Sequence, residues 1–126
     1  MILIDTSVWI EFLKQNPDFV RTVQPLLETQ RVLAFEPVFA ELIYGIRNKK
    51  EKEIIQAYWQ ALPRIGISPD SMLEAADFAC SNDYLKAGIG LMDAIIIKSA
   101  IDGKHLLWTL DRRILKGIDQ KFIFQP

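Results

Sequence analysis

The sequence predicts an α/β fold, a three-layer α/β/α sandwich around a short, mainly parallel sheet. Short apolar runs rich in β-branched residues alternate along the chain with longer segments of helical periodicity. The runs are apolar at every position, as expected of strands covered on both faces. The segments between them are long enough for helical crossovers, which join parallel strands rather than hairpins.

Ile2-Leu3-Ile4 is the first such run. Thr6 and Ser7 then offer N-cap chemistry to a helix carrying Val8, Trp9, Phe12 and Leu13. Pro17 suits the start of a second helix, to about Glu28, which Pro25 is expected to bend or interrupt. Val32-Leu33-Ala34-Phe35 reads as the second strand, and Pro37 as the first turn of a helix that aligns Val38, Phe39, Leu42, Ile43 and Ile46. A further helix is expected from about Glu51 to Leu62, then a short strand at Ile65-Gly66-Ile67. Ser68-Pro69-Asp70 marks the start of a long helix to about Lys86, and Gly88 and Gly90 break the chain. Residues 93–102 form an almost wholly apolar helix that Gly103 ends; Leu106-Leu107-Trp108 is the fourth strand and Phe122-Ile123-Phe124 an expected fifth, at the edge.

The 126 residues are expected to form one domain, 1–126. A composition of 50% hydrophobic and 25% charged residues excludes disorder and collagen-like or coiled-coil repeats. Cys80 is the only cysteine and His105 the only histidine, so neither an intramolecular disulfide nor a structural zinc site is expected. No apolar run reaches the roughly 18 residues of a membrane span, and Asp5 cuts short any signal-peptide stretch, so a cytoplasmic protein without membrane contact is expected. The net charge of −1 makes no global case for nucleic acid, but residues 98–126 hold six Lys/Arg against three Asp/Glu. Arg47, Lys49, Lys50 and Lys52 form a second small basic cluster.

In parallel α/β sheets ligands bind beyond the carboxyl ends of the strands. Asp5 follows the first strand directly, and Asp111 follows the fourth by three residues. Each also has an ordinary explanation, Asp5 as a helix cap and Asp111 as the start of a turn. Asp93 is less easily explained. At about 100° per residue, Ile96, Ile97, Ala100 and Ile101 share one helix face, and Asp93 projects near its middle. A buried carboxylate needs compensation, and a metal cation compensates better than a helix dipole. Glu41 lies roughly 130° from the apolar face of its helix, so periodicity alone reads it as a border or solvent-facing residue.

Met1-Ile2-Leu3-Ile4-Asp5-Thr6-Ser7-Val8-Trp9-Ile10 resembles the opening of a PIN-domain protein of the VapC toxin type. Pro37-Val38-Phe39-Ala40-Glu41-Leu42-Ile43-Tyr44-Gly45 is similar to that family's second motif, Gly90-Leu91-Met92-Asp93-Ala94-Ile95-Ile96 to its third, and Leu107-Trp108-Thr109-Leu110-Asp111 to its fourth, in the family's order. The resemblance implies a divalent-metal-dependent endoribonuclease, the toxin of a toxin–antitoxin pair, commonly dimeric and neutralised by a cognate antitoxin. It implies an acidic set of Asp5, Glu41, Asp93 and Asp111, with Ser7 and Thr109 in support. Many members carry a further acidic residue and a Phe after the fourth motif, where this chain has Arg113-Ile114; that departure puts a second metal ion in doubt.

Phosphodiester cleavage calls for hard ions such as Mg²⁺ or Mn²⁺, which favour carboxylate oxygens. On this reading Asp5, Asp93 and Asp111 are metal ligands, and Glu41 binds through water or orients the attacking water. Thr109 is expected to hydrogen-bond a carboxylate or that water. Without metal some of these acids should be pushed toward protonation by their neighbours. Arg112, Arg113 and Lys116 are candidate contacts to RNA phosphates, with ordinary surface charge as the competing explanation. Trp9, Tyr58 and Trp59 suit base stacking or packing, and packing is the expectation for Trp9. The first two helices are expected to form the antitoxin groove. Alternatives are a catalytically weak PIN-like scaffold that binds RNA or a partner, and a small phosphotransfer domain, for which the chain lacks paired acids after the first strand.

Overall fold

Ile2–Ile4 forms β1, and all three side chains are at most 2% exposed, so the strand is covered on both faces. Each such side chain, once buried, contributes about 1.5–3 kcal/mol. The structure, a computed structural model, describes residues 1–126. β2 (Val32–Phe35) and β4 (Leu106–Trp108) flank β1, and β3 (Arg64–Ile65) lies outside β2. Every pairing is parallel, with Ile2 opposite both Val32 and Leu106. The order β3-β2-β1-β4 reverses direction at β1. Right-handed crossovers therefore place the helices between β1 and β3 on one face and those between β3 and β4 on the other. The three-layer sandwich with a short parallel sheet is the fold the sequence predicts.

The helices are α1 (Thr6–Leu13), α2 (Pro17–Glu28), α3 (Glu36–Tyr44), α4 (Lys49–Ala61), α5 (Ser71–Ser81), α6 (Tyr84–Ala87), α7 (Leu91–Asp102) and α8 (Arg112–Gly117). Several differ from expectation, each for a local reason. Asp5, rather than Thr6 or Ser7, caps α1, its carboxylate accepting the Thr6 amide. Pro25 does not interrupt α2, which runs through it to Glu28. α4 begins two residues early because Asn48 caps it, accepting the Glu51 amide. The long helix expected up to Lys86 is two: α5 ends at Ser81, and Asp83 turns the chain at φ 55° before α6. β3 is Arg64–Ile65 rather than 65–67. The fifth strand is absent; Gln120–Phe122 is a 3-10 turn, and only Ile123 bridges to Leu107. α8, between the fourth motif and that turn, has no counterpart in the sequence reading.

Trp9 is 1% exposed and packs edge-on against Phe12 and Phe39, with Tyr58 tilted on its other side. It belongs to the core, as expected. Trp59 is half-buried against Phe39 and carries the Arg64 guanidinium over its ring. No helix is long and apolar enough to cross a membrane.

Candidate functional site

The sheet changes direction between β1 and β4, so a crevice opens beyond their carboxyl ends. Asp5 stands at the end of β1 and is buried. One of its oxygens, Oδ1, accepts the Thr6 amide at 2.8 Å, as a helix cap does. The other, Oδ2, accepts the Thr109 hydroxyl at 2.7 Å and the Ser7 hydroxyl at 3.1 Å. Ser7 Oγ in turn accepts the Leu110 amide, and Thr109 Oγ1 accepts the Asp111 amide, each at 3.1 Å. Two hydroxyls thus tie the start of α1 to the loop after β4 and hold the Asp5 carboxylate between them. Of the two bonds expected for Thr109, the one present goes to a carboxylate, that of Asp5.

Glu41 comes from the middle of α3 and Asp93 from the first turn of α7, two helices that touch. Burial, and then the charges of Asp5 and Asp93, hold the Glu41 carboxyl above the usual range, with the Thr6 hydroxyl opposing. The residue as a whole is exposed, so this burial is that of the carboxyl among its neighbours. Burial, and then Asp5 and Asp111, push Asp93 up against the pull of Arg113 and the Gly90 amide. Four acids that are distant in the sequence therefore feel one another's charge. Neither Glu41 nor Asp93 has an ion-pair partner. The mutual rise expected of a crowded acidic pocket is present at these two.

Asp111 departs from it. Arg113 donates its amide to Oδ1 at 2.9 Å, its Nε to Oδ1 at 3.3 Å and its Nη2 to Oδ2 at 3.0 Å. The Arg113 side-chain hydrogen bonds, with its amide and its charge, hold the Asp111 carboxyl below the usual carboxylate range. Asp111 also caps α8. The ordinary roles of Asp5 and Asp111 as caps are thus real, and each uses part of the carboxylate.

All-oxygen donors suit a hard divalent cation. As the side chains stand, no three acids form a group that could hold an ion. Repulsion keeps uncompensated carboxylates apart, and Arg113 occupies both oxygens of Asp111. A carboxylate has about four lone-pair sites, so Asp5 Oδ1 keeps one beyond its bond to Thr6. Asp5, Glu41 and Asp93 are therefore the donors that fit an ion chemically, and Thr6 Oγ1, buried near enough to the Glu41 carboxyl to influence it but without a well-formed hydrogen bond, is a polar atom that sequence reading missed.

Arg112, Arg113 and Lys116 line one open basin with Ala87 and Gly117. The second basic cluster offers less, because Arg47 is paired with Glu51 at 2.8 Å. Beside Glu41 lies an apolar cleft of about 280 Å³, lined by Ile10, Leu13, Leu42, Ile46 and Ile55 and edged by Lys14 and Arg47. It is formed by α1, α3 and α4. Cys80 is exposed and His105 lies in the turn before β4, neither at the acidic crevice.

The family model of the PIN domain matches residues 2–120. The chain is similar in fold to the crystal structure of VapBC2 from Rickettsia felis bound to a DNA fragment from their promoter, with a TM-score of 0.71 and 21% identity over 99% of this chain and 98% of that one. It is similar also to FitAcB from Neisseria gonorrhoeae, with a TM-score of 0.60 and 22% identity over 97% of this chain and 91% of that one. No curated protein matches it.

Proposed function

Because the chain belongs to the PIN-domain family, we propose that it is a divalent-metal-dependent endoribonuclease, the toxin of a toxin–antitoxin pair of the VapBC type. The observation that carries this reading is the electrostatic meeting of Asp5, Glu41, Asp93 and Asp111, from four separate elements, at the sheet's switch point. Within it Glu41 and Asp93, raised and without ion-pair partners, cost stability that a bound cation would offset. Mg²⁺ or Mn²⁺, when bound, supplies an activated water and stabilises the leaving oxygen. Asp5 is pre-oriented by Ser7 and Thr109 to be a ligand, with Asp93 close enough to feel its charge. Glu41, held toward protonation by its neighbours, is suited to orient the attacking water and take its proton. Arg112 and Lys116 share a basin with Arg113, the neighbour of Asp111, and bind RNA phosphates there.

Two partners complete the reading. The cognate antitoxin docks in the apolar cleft between α1, α3 and α4, which borders Glu41. A homodimer is favoured by Leu73, Leu85, Leu91 and Met92, large apolar side chains left exposed on α5–α7. VapBC2 is described as bound to a DNA fragment from 'their' promoter, a plural that supports a partner protein for this fold. The domain assignment 1–126 and a cytoplasmic location belong to the same proposal.

The test is cleavage of RNA by purified, antitoxin-free protein. Activity should require Mg²⁺ or Mn²⁺ and stop with chelator. Asp5→Asn or Asp93→Asn should lower it by at least about 100-fold, the order expected on losing a main electrostatic element of a site, while circular dichroism stays native. Survival of activity in either variant would refute the site assignment. One observation favours a second reading, a catalytically weak scaffold: no three acids stand as an ion-holding group. Mn²⁺ binding that disappears in Asp93→Asn decides for the nuclease, and its absence in the native protein decides for the scaffold.

A further inference from the structure

Arg113 is more than an exposed charge that happens to lie near an acid. Its fork engages both oxygens of Asp111, and its amide donates to the same carboxylate, so side chain and backbone fix it together. Its stem lies against Gly88, where a Cβ would come within 3.3 Å of Arg113 Cδ and where the backbone, at φ 77°, favours glycine. The break after α6 therefore makes room for this side chain. The guanidinium has five N–H groups; Nε and one from Nη2 go to Asp111, which leaves three. It is 60% exposed, on the edge of the basin it shares with Arg112 and Lys116.

We propose that Arg113 is the resident cation of the acidic crevice, restricting it to one divalent ion on the Asp5–Glu41–Asp93 side and offering its remaining N–H groups to a phosphate of the bound strand. This rests on the nuclease reading and deepens it. A second ion at Asp111 would have to strip the carboxylate from a two-point pair and then sit beside a positive charge. A planar fork with free donors is, by contrast, well matched to a phosphate. The guanidinium then does part of what a second ion would do, neutralising charge on the strand, without needing to be recruited.

The experiment is a Mn²⁺ titration of the full chain, followed by the electron paramagnetic resonance of free Mn²⁺. The native protein should bind one ion per chain, lost in Asp93→Asn. Arg113→Glu should bind a second ion, and Arg113→Gln should bind its one ion several-fold more tightly, because Asp111 is released and a like charge removed. Two ions in the native protein, or no gain in Arg113→Gln, would overturn the proposal. In the second arm, binding of a single-stranded RNA is measured against salt in the Asp93→Asn background, which holds the strand uncut. Adding Arg113→Gln should reduce the slope of log K against log salt by about 0.7, the share of one phosphate contact on a single strand, and Arg113→Lys should restore it. An unchanged slope overturns the phosphate role. If the native protein cuts RNA with Asp93 dependence yet binds two ions, only this inference fails; if it neither binds Mn²⁺ nor cuts RNA, the nuclease reading fails first.

Discussion

At the scale of single residues, Asp93 sets the strongest expectation. Its carboxyl, and that of Glu41, titrate above the usual range in the folded protein. A group raised on folding favours the folded state below its unfolded pKa, and that contribution is lost as pH climbs through the folded value. Metal-free protein should therefore lose stability as pH rises from the ordinary carboxylate range to neutrality. Asp93→Asn should raise the Tm of metal-free protein at pH 7, and the difference should vanish at pH values below the unfolded carboxylate pKa. Mg²⁺ should raise the Tm of the native protein and not that of the variant. Asp111 runs the other way: lowered by Arg113, it stabilises above the unfolded carboxylate value and ceases to do so as pH falls through its own. Thr109→Val removes the buried hydroxyl that Asp5 accepts and should cost about 1–3 kcal/mol by urea denaturation, with cleavage falling as well. The four acids were legible as motif residues, but Arg113's bond to Asp111 was not. Two residues apart at the start of a helix, a carboxylate and a guanidinium pair only if the local turn brings them round, and the cap of α8 does that.

At the scale of elements, strands and most helices follow from local pattern, because apolar runs and caps act within a few residues. Departures cluster where local signals compete. Asp5 outcompetes Thr6 and Ser7 as the cap of α1, and Ser7 is thereby freed to bridge Asp5 and Leu110. Asn48 starts α4 early, and Asn48→Ala should destabilise the protein by about 1 kcal/mol, read as a shift in denaturation midpoint without a change in slope. α5 and α6 are separated by Asp83, a non-glycine residue in the left-handed region that periodicity cannot see. The expected fifth strand is reduced to one bridge at Ile123, since the 3-10 turn takes Phe122, the residue before it.

At the scale of the whole molecule, the aromatic cluster around Trp9 joins α1 to α3 and α4, the helices that also line the cleft beside Glu41. Trp9→Ala should cost about 3–5 kcal/mol, a large part of a total that is typically about 5–15 kcal/mol, and differential scanning calorimetry should show it as a marked fall in Tm. The sequence by itself determined the fold class, the places of the four strands, the core position of Trp9 and the order of the four acidic motifs. Those depend on hydrophobic periodicity and residue chemistry, which are properties of short stretches. Only the tertiary structure decided that Asp5 is held by Ser7 and Thr109 across the sheet, that Glu41 from an exposed position reaches the crevice, and that Arg113 claims Asp111. The first depends on the reversal of strand order at β1, which brings β4 and its loop beside β1 across about a hundred residues of chain, a distance over which no local pattern carries information; the second depends on the packing of α3 against α7, and the third on the turn that starts α8.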